Sequence, residues 1–346
     1  VLVLDGYARA DVLAEQYVFG NGAFLGALGE RGFSIRGDAV ANCSVTHTSL
    51  SSMMAGGYPF EEGPRSGASM DRIRRLLSGD GALLHAFDAA GYETVMFENA
   101  WAGSNYGGTP DVCHRTGLLG RSMWSLGQMT PLAVIQRVSV PHPFTAIGLQ
   151  HLRELGGILE GDSAEPVFVM AHITVPHPPT QLTAACDFVV ASDRLSMLLA
   201  SADTAEADRA TARRRCVDQM TCINGEVIAT VDRLLASGED LEMVIIADHR
   251  PNSHAQHAKD VADWTDDELL ERRAVLSAAR MPQTCAEREP ARTTVNTVRR
   301  SVGCALGVQL DDLPDRNFGA PAAQAIDEPI VDVTDRMNSI SSRISR

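Results

Sequence analysis

Asp5, Thr46, Asp248 and His249 are the residue types from which a divalent-cation site with a nucleophile is assembled. Two carboxylates supply hard oxygens and one imidazole a borderline nitrogen, a donor set suited to one Zn²⁺ or Mn²⁺ ion rather than Ca²⁺ or Mg²⁺; the threonine hydroxyl would be the fourth ligand. A cation lowers the pKa of an oxygen beside it, that of bound water from 15.7 to about 7, so a threonine oxygen in such a site gains the power to attack a phosphoryl or sulfuryl centre. Each residue also has a plainer reading. Thr46 is an N-cap, Asp5 a turn or cap acid, and Asp248-His249 a solvated turn.

The stretch around Thr46, ANCSVTHTSLSSMMAGGYPF, reads as a polar loop that delivers a hydroxyl to the start of a helix. Ser49, Leu50, Met53 and Met54 follow Thr46 at i+3, i+4, i+7 and i+8, one face of a helix that ends at Gly56-Gly57 and Pro59. In that first turn, unpaired backbone N–H groups and the positive end of the helix dipole favour a bound anion. His47 is turned about 100° from Thr46 and reads as a surface residue. His172 is either a substrate contact or a satisfied strand-end histidine, and Arg9 pairs with an acid or with a substrate oxygen. His254 and His257 read as part of a polar loop.

The elements that must position these residues alternate between strand and helix. VLVLD (1–5), ETVMFE (93–98), VFVMAHI (167–173) and MVIIAD (243–248) are apolar runs of buried parallel strands. Helices are expected over 21–32, 81–91, 121–138, 144–155, 205–236, 266–282 and 293–307. Such alternation implies an α/β/α sandwich around a mostly parallel sheet, with ligands at the carboxyl ends of the strands. Those ends supply Asp5, Glu98, His172 and Asp248-His249, which the fold would gather on one rim. One domain is expected over 1–318, with 319–346 as a tail or fragmentary extra segment.

A length of 346 residues suffices for a full core. The formal net charge of −14 excludes a general nucleic-acid binder but not an anionic substrate. Surface charge is screened beyond about 8 Å at physiological salt, whereas a dication at contact contributes about 4 kcal/mol per charge pair at an effective dielectric near 20. The seven cysteines form no C-x-x-C pair, and Cys216 and Cys222 lie on different faces of one helix, so they should not bridge to each other. No apolar run reaches the roughly 18 residues of a membrane span. Because the chain starts on Val1 directly in a strand, the expectation is a piece of a longer product whose anchor lies upstream.

With those motifs in order, the sequence resembles the sulfatase-like branch of the alkaline phosphatase superfamily, which includes bacterial sulfatase-like hydrolases and phosphoglycerol and phosphoethanolamine transferases. LDGYARADVL, ANCSVTHTSLSSMMAGGYP, PHPP (176–179), IIADH (245–249), ELLERRAVLSAARMP, TTVNTVRRSVG and LPDRNF carry the resemblance across most of 1–318. It implies an alkaline phosphatase-like fold, metal ligation by Asp5, Thr46, Asp248 and His249, and anion contact by His177. It also implies an extracytoplasmic domain of a membrane-anchored parent, acting on an anionic ester such as a lipid or glycan headgroup.

Three departures sharpen this. Thr46-His47-Thr48-Ser49-Leu50 stands where formylglycine sulfatases carry C-x-P-S-R, so a modified-cysteine mechanism is not expected. Asp5 is followed by Gly6 rather than a second acid, as in the threonine-dependent phosphotransferases. Arg250 replaces the usual glycine after the Asp-His pair, where a left-handed backbone would cost roughly 1–2 kcal/mol. The expected function is a metal-dependent hydrolase or transferase of phosphate rather than sulfate esters, with Thr46 as nucleophile and Arg250 as a partial brake; the alternative is a catalytically impaired relative serving as a binding or envelope scaffold.

Overall fold

The computed structural model describes residues 1–59, 67–97, 109–114, 124–131, 133–160, 165–189, 206–238, 241–250, 260–285, 287–320 and 330–344. Seven strands form the main sheet: β1 Leu2–Leu4, β2 Ser34–Ile35, β3 Glu93–Phe97, β4 Val112–His114, β5 Val167–Ile173, β6 Met243–Ile246 and β7 Ser277–Arg280, in the order β2-β7-β6-β1-β5-β3-β4. β1 lies between β5 and β6, parallel to both, with Val3 level with His172 and Ile246. β3 is parallel to β5 and β4, while β7 runs antiparallel to β6 and β2. The carboxyl ends of β1, β5 and β6 therefore emerge side by side.

Helices cover both faces. α1 Ala10–Tyr17, α2 Gly22–Glu30, α7 Pro143–Leu155 and α8 Glu206–Ala236 lie on one; α3 Thr46–Ala55, α4 Gly67–Leu77, α5 Ala82–Ala89 and α10 Thr294–Ala305 lie on the other. Along the strands, alternate residues enter the two cores. Leu2 and Leu4 pack with Leu13, Leu28, Leu152 and Val227, whereas Val3 packs with Met53, Leu84 and Val298. A strand buried on both faces needs apolar side chains at every position, which is why β1, β5 and β6 read as continuous apolar runs. The remaining helices are α6 Ala133–Ser139, α9 Asp266–Arg273 and α11 Thr334–Ile344.

Two expectations are corrected by packing. The helix expected over 266–282 stops at Arg273, and residues 277–280 instead form β7 between β6 and β2. Ala278 and Ala279 favour helix intrinsically, but the ladder on both sides and burial in both cores override that preference. Part of the stretch expected as a tail also packs: Val333, Met337 and Ile340 join Val40, Trp264 and Leu269 in a small core, and Phe318–Gly319 pairs with Val331–Asp332.

Two disulfides staple loops to helices, Cys186 to Cys222 in α8 and Cys285 to Cys304 in α10. Cys43, Cys113 and Cys216 are free, so Cys216 and Cys222 do not bridge. Among the described residues no helix is long and apolar enough to cross a membrane.

Candidate active site

Thr46 is the first residue of α3, and the N-cap is Val45, so the hydroxyl is not spent on capping. It meets Nε2 of His249 at 2.8 Å instead. Every residue from Thr46 to Met54 is buried. The helix is enclosed on all sides rather than on one face, and its inner hydroxyls are satisfied by carbonyls: Thr48 donates to Val45, Ser52 to Thr48, and Ser49 to Asp248 at 2.6 Å. That last bond ties α3 to the loop carrying the Asp-His pair. The same enclosure corrects the reading of His47, which is 7% exposed rather than a surface residue.

Asp5 and Asp248 follow the adjacent strands β1 and β6. One carboxylate oxygen of each and one ring nitrogen of His249 lie within 4.8 Å of one another, all three residues buried. Gly6, at φ 80°, turns the chain so that its N–H reaches Oδ1 of Asp248 at 3.4 Å. A side chain there would be strained, because left-handed backbone suits glycine. His249 Nε2 stands 3.5 Å from Asp248 Oδ2 and 4.0 Å from Asp5 Oδ1. Its Nδ1 faces the Arg250 carbonyl at 3.2 Å, and a carbonyl can only accept, so Nδ1 carries the proton and Nε2 presents a lone pair. Thr46 therefore donates and His249 accepts.

The electrostatics agree with this division. Burial pushes the Asp5 carboxyl up, but the charge of His177 and the hydrogen bond from His172 outweigh it and hold it below the usual carboxylate range. Burial, followed by the charge of Asp5, pushes Asp248 up to about 7. Burial, followed by the Arg272 cation, drives His249 well below the ordinary imidazole value and keeps it neutral.

Asp5 Oδ1 and Asp248 Oδ2 are buried and short of hydrogen-bond donors, and Asp5 Oδ2 has only His172 Nε2, at 3.5 Å. Leaving carboxylate oxygens in that condition costs several kcal/mol, and a divalent cation bound by Asp5, Asp248, His249 and Thr46 would remove the cost. Two carboxylates, a neutral imidazole and a hydroxyl fit Zn²⁺ or Mn²⁺. A second grouping, Glu242 with Cys285 and Cys304, has its sulfurs committed to a disulfide.

The other expected contacts divide. His172 is fully buried with Nε2 3.5 Å from Asp5 Oδ2, the position of a strand-end histidine that orients a carboxylate rather than touches substrate. His177 is partly exposed; its Nδ1 donates to the Pro178 carbonyl at 2.6 Å, and its ring lies 6.4 Å from that of His249, at the rim of the cluster. Arg9 is held by both Asp11 oxygens, at 2.8 and 2.6 Å, and by the Ala39 carbonyl at 3.0 Å, so it makes the structural pair. Glu98, His254 and His257 lie outside the described residues.

Arg250 neither reaches into the cluster as a brake nor adopts a left-handed backbone. It is 1% exposed, with Nη1 3.1 Å from Glu271 Oε1 and its guanidinium 5.0 Å from the Tyr17 ring centroid. The sequence reading missed Glu271 and Arg272, which meet residue 250 only through the tertiary fold.

At the level of sequence, neither a family model nor a curated protein matches the chain. Solved structures do resemble it. The zinc complex of the C-terminal periplasmic domain of EcEptC from Escherichia coli superposes at TM-score 0.57 with 11% identity, over 96% of this chain and 90% of that one. The lipoteichoic acid synthase LtaP from Listeria monocytogenes gives 0.55 with 9% identity over 100% and 91%. The phosphonate monoester hydrolase of Agrobacterium radiobacter gives 0.55 with 15% identity over 92% and 79%. The chain thus carries the alkaline phosphatase-like α/β fold that these structures share, a mostly parallel sheet flanked by helices, as expected from the sequence.

Proposed function

We propose that the protein is a single-metal phosphoester hydrolase or phosphotransferase with Thr46 as nucleophile. The observation that carries this reading is the pair of buried carboxylates, with Asp5 Oδ1 and Asp248 Oδ2 short of donors, gathered with His249 around the hydroxyl at the start of α3. A bound cation would acidify the hydroxyl and neutralise charge developing on the substrate. The rest belongs to the chain. α3 directs its positive end at the anion, His177 orients that anion from the rim, and neutral His249 keeps a lone pair toward the cluster. Attack by Thr46 Oγ1 forms a threonine phosphoester as the substrate P–O bond breaks and the alcohol leaves with the hydroxyl proton. A second in-line attack by water or an acceptor alcohol breaks the threonine ester and returns a proton to Thr46.

Phosphate is preferred over sulfate because threonine cannot form the hydrated aldehyde that expels sulfate by elimination. Arg250, which motivated the scaffold alternative, is engaged by Glu271 and leaves the cluster clear. Two disulfides suit an oxidising compartment, and EcEptC is described as a periplasmic domain, so we place the protein outside the cytoplasm. Matched aryl phosphate, phosphodiester and aryl sulfate substrates, assayed with Mn²⁺ or Zn²⁺, test the reaction. Phosphate release abolished in Thr46→Ala is expected; faster sulfate release that still needs Thr46 would overturn phosphoryl transfer.

A further inference from the structure

The carboxyl-terminal end of α9 grips residue 250 in three places. The Arg250 N–H donates to the Arg272 carbonyl at 3.1 Å, the Arg272 Nη1 donates back to the Arg250 carbonyl, and the Arg250 side chain pairs with Glu271 at 3.1 Å. All three side chains are nearly inaccessible, at 1%, 1% and 5% exposure for Arg250, Glu271 and Arg272. Burying two guanidinium groups is costly, so a placement that serves only to fill space is a poor use of them. What they enclose is the peptide carbonyl that receives Nδ1 of His249.

We infer that Arg272, supported by Glu271, is a positioning residue that fixes the tautomer and direction of His249. A carbonyl has two acceptor directions; with Arg272 on one, the other stays aimed at the imidazole, and Nδ1 must keep its proton. Nε2 is then bare and faces Thr46, Asp5 and Asp248. Without the grip, the Arg250 carbonyl is free to turn, Nδ1 loses its acceptor, and the proton redistributes between the two nitrogens. A metal ligand whose other nitrogen is held by a fixed acceptor is a stronger and better aimed ligand. Arg272 acts through Arg250 and touches no substrate.

The consequence for metal affinity rests on the proposed metal site, but the consequence for the tautomer does not. The test is ¹⁵N NMR of the imidazoles in the metal-free full chain, with the His249 signals identified by their loss in His249→Gln, alongside Zn²⁺ titration against a chelator. Wild type should show the Nδ1–H form. Arg272→Met, which keeps the stem but removes donors and charge, should show a mixture or the Nε2–H form and bind Zn²⁺ about 10- to 100-fold more weakly. Arg272→Lys should recover part of both. Circular dichroism identifies folded variants, and Glu271→Gln carries the same readout if Arg272→Met does not fold. A folded Arg272→Met that keeps the Nδ1–H form overturns the inference. A tautomer change in a protein whose wild type binds no Zn²⁺ supports the positioning role and sinks the metal reading instead.

Discussion

Thr46 and His249 stand 203 residues apart in the chain, yet Thr46 Oγ1 donates to His249 Nε2 across 2.8 Å in a buried environment. The contact joins the amino-terminal end of α3 to the loop after β6, and the Ser49 hydroxyl on the Asp248 carbonyl doubles it. A cation that takes the Nε2 lone pair would replace this hydrogen bond while keeping the hydroxyl and the ring nitrogen on either side of it.

Replacing the hydroxyl should therefore separate chemistry from binding. Thr46→Ala is expected to lower kcat by at least about 10³-fold while keeping much of the metal through Asp5, Asp248 and His249. Thr46→Ser should retain part of the activity. Steady-state rates with metal content measured on the same preparations decide it; equal turnover in Thr46→Ala would remove Thr46 from the reaction.

The metal reading has its own direct test. Purified protein should carry or accept about one equivalent of Zn²⁺ or Mn²⁺, and Asp248→Asn should lose it because a neutral amide is a poorer ligand. Elemental analysis after dialysis and reloading reads this out. A chain that never takes up metal would end the enzyme assignment.

Arg250→Gly was expected from sequence to release a brake, but the Glu271 pair reverses that expectation. Removing the guanidinium takes an ion-pair partner from a buried carboxylate, which costs up to about 3–5 kcal/mol. Denaturant midpoints should fall accordingly, and the double change Arg250→Met with Glu271→Met should restore much of the loss. A single variant as stable as wild type would show that the pair contributes nothing.

His151, in α7, is fully buried edge-on to Phe97, and neither ring nitrogen has a hydrogen-bond partner. Burial lowers its pKa from 6.5 to about 4. The folded state thus binds the proton less well than the unfolded one. Its contribution is intact above about pH 6.5 and lost as pH falls toward 4, a difference of about 3 kcal/mol at most. His151→Met should flatten the acid side of the stability curve between pH 6.5 and 4. An unchanged slope in thermal or urea melts would exclude the histidine as its source.

The disulfide pattern predicts a thiol count. Alkylation of the denatured, unreduced protein should label three of the seven cysteines, Cys43, Cys113 and Cys216, and peptide mapping should link Cys186 to Cys222 and Cys285 to Cys304. Seven labelled cysteines in protein recovered from an oxidising compartment would contradict the pairing.

Much of the frame was legible in one dimension. Burial on both faces forces β1, β5 and β6 to be apolar at successive positions, and acids at the ends of β1 and β6 stand out against such runs. The turn of α3 after a polar loop pointed to Thr46 in the same way. Local pattern reports how buried a segment is, but not by what. Only the tertiary structure made a strand of Ser277–Arg280, because its alanines pack between β6 and β2 while their own preference is helical. It also buried His47 within an enclosed helix and set His172 against Asp5. Arg250 was diverted to Glu271, and each cysteine bridge was closed across a separation its spacing did not encode. Those outcomes depend on which distant surfaces meet, and the partner of a buried charge or thiol is set by that meeting rather than by its sequence neighbours.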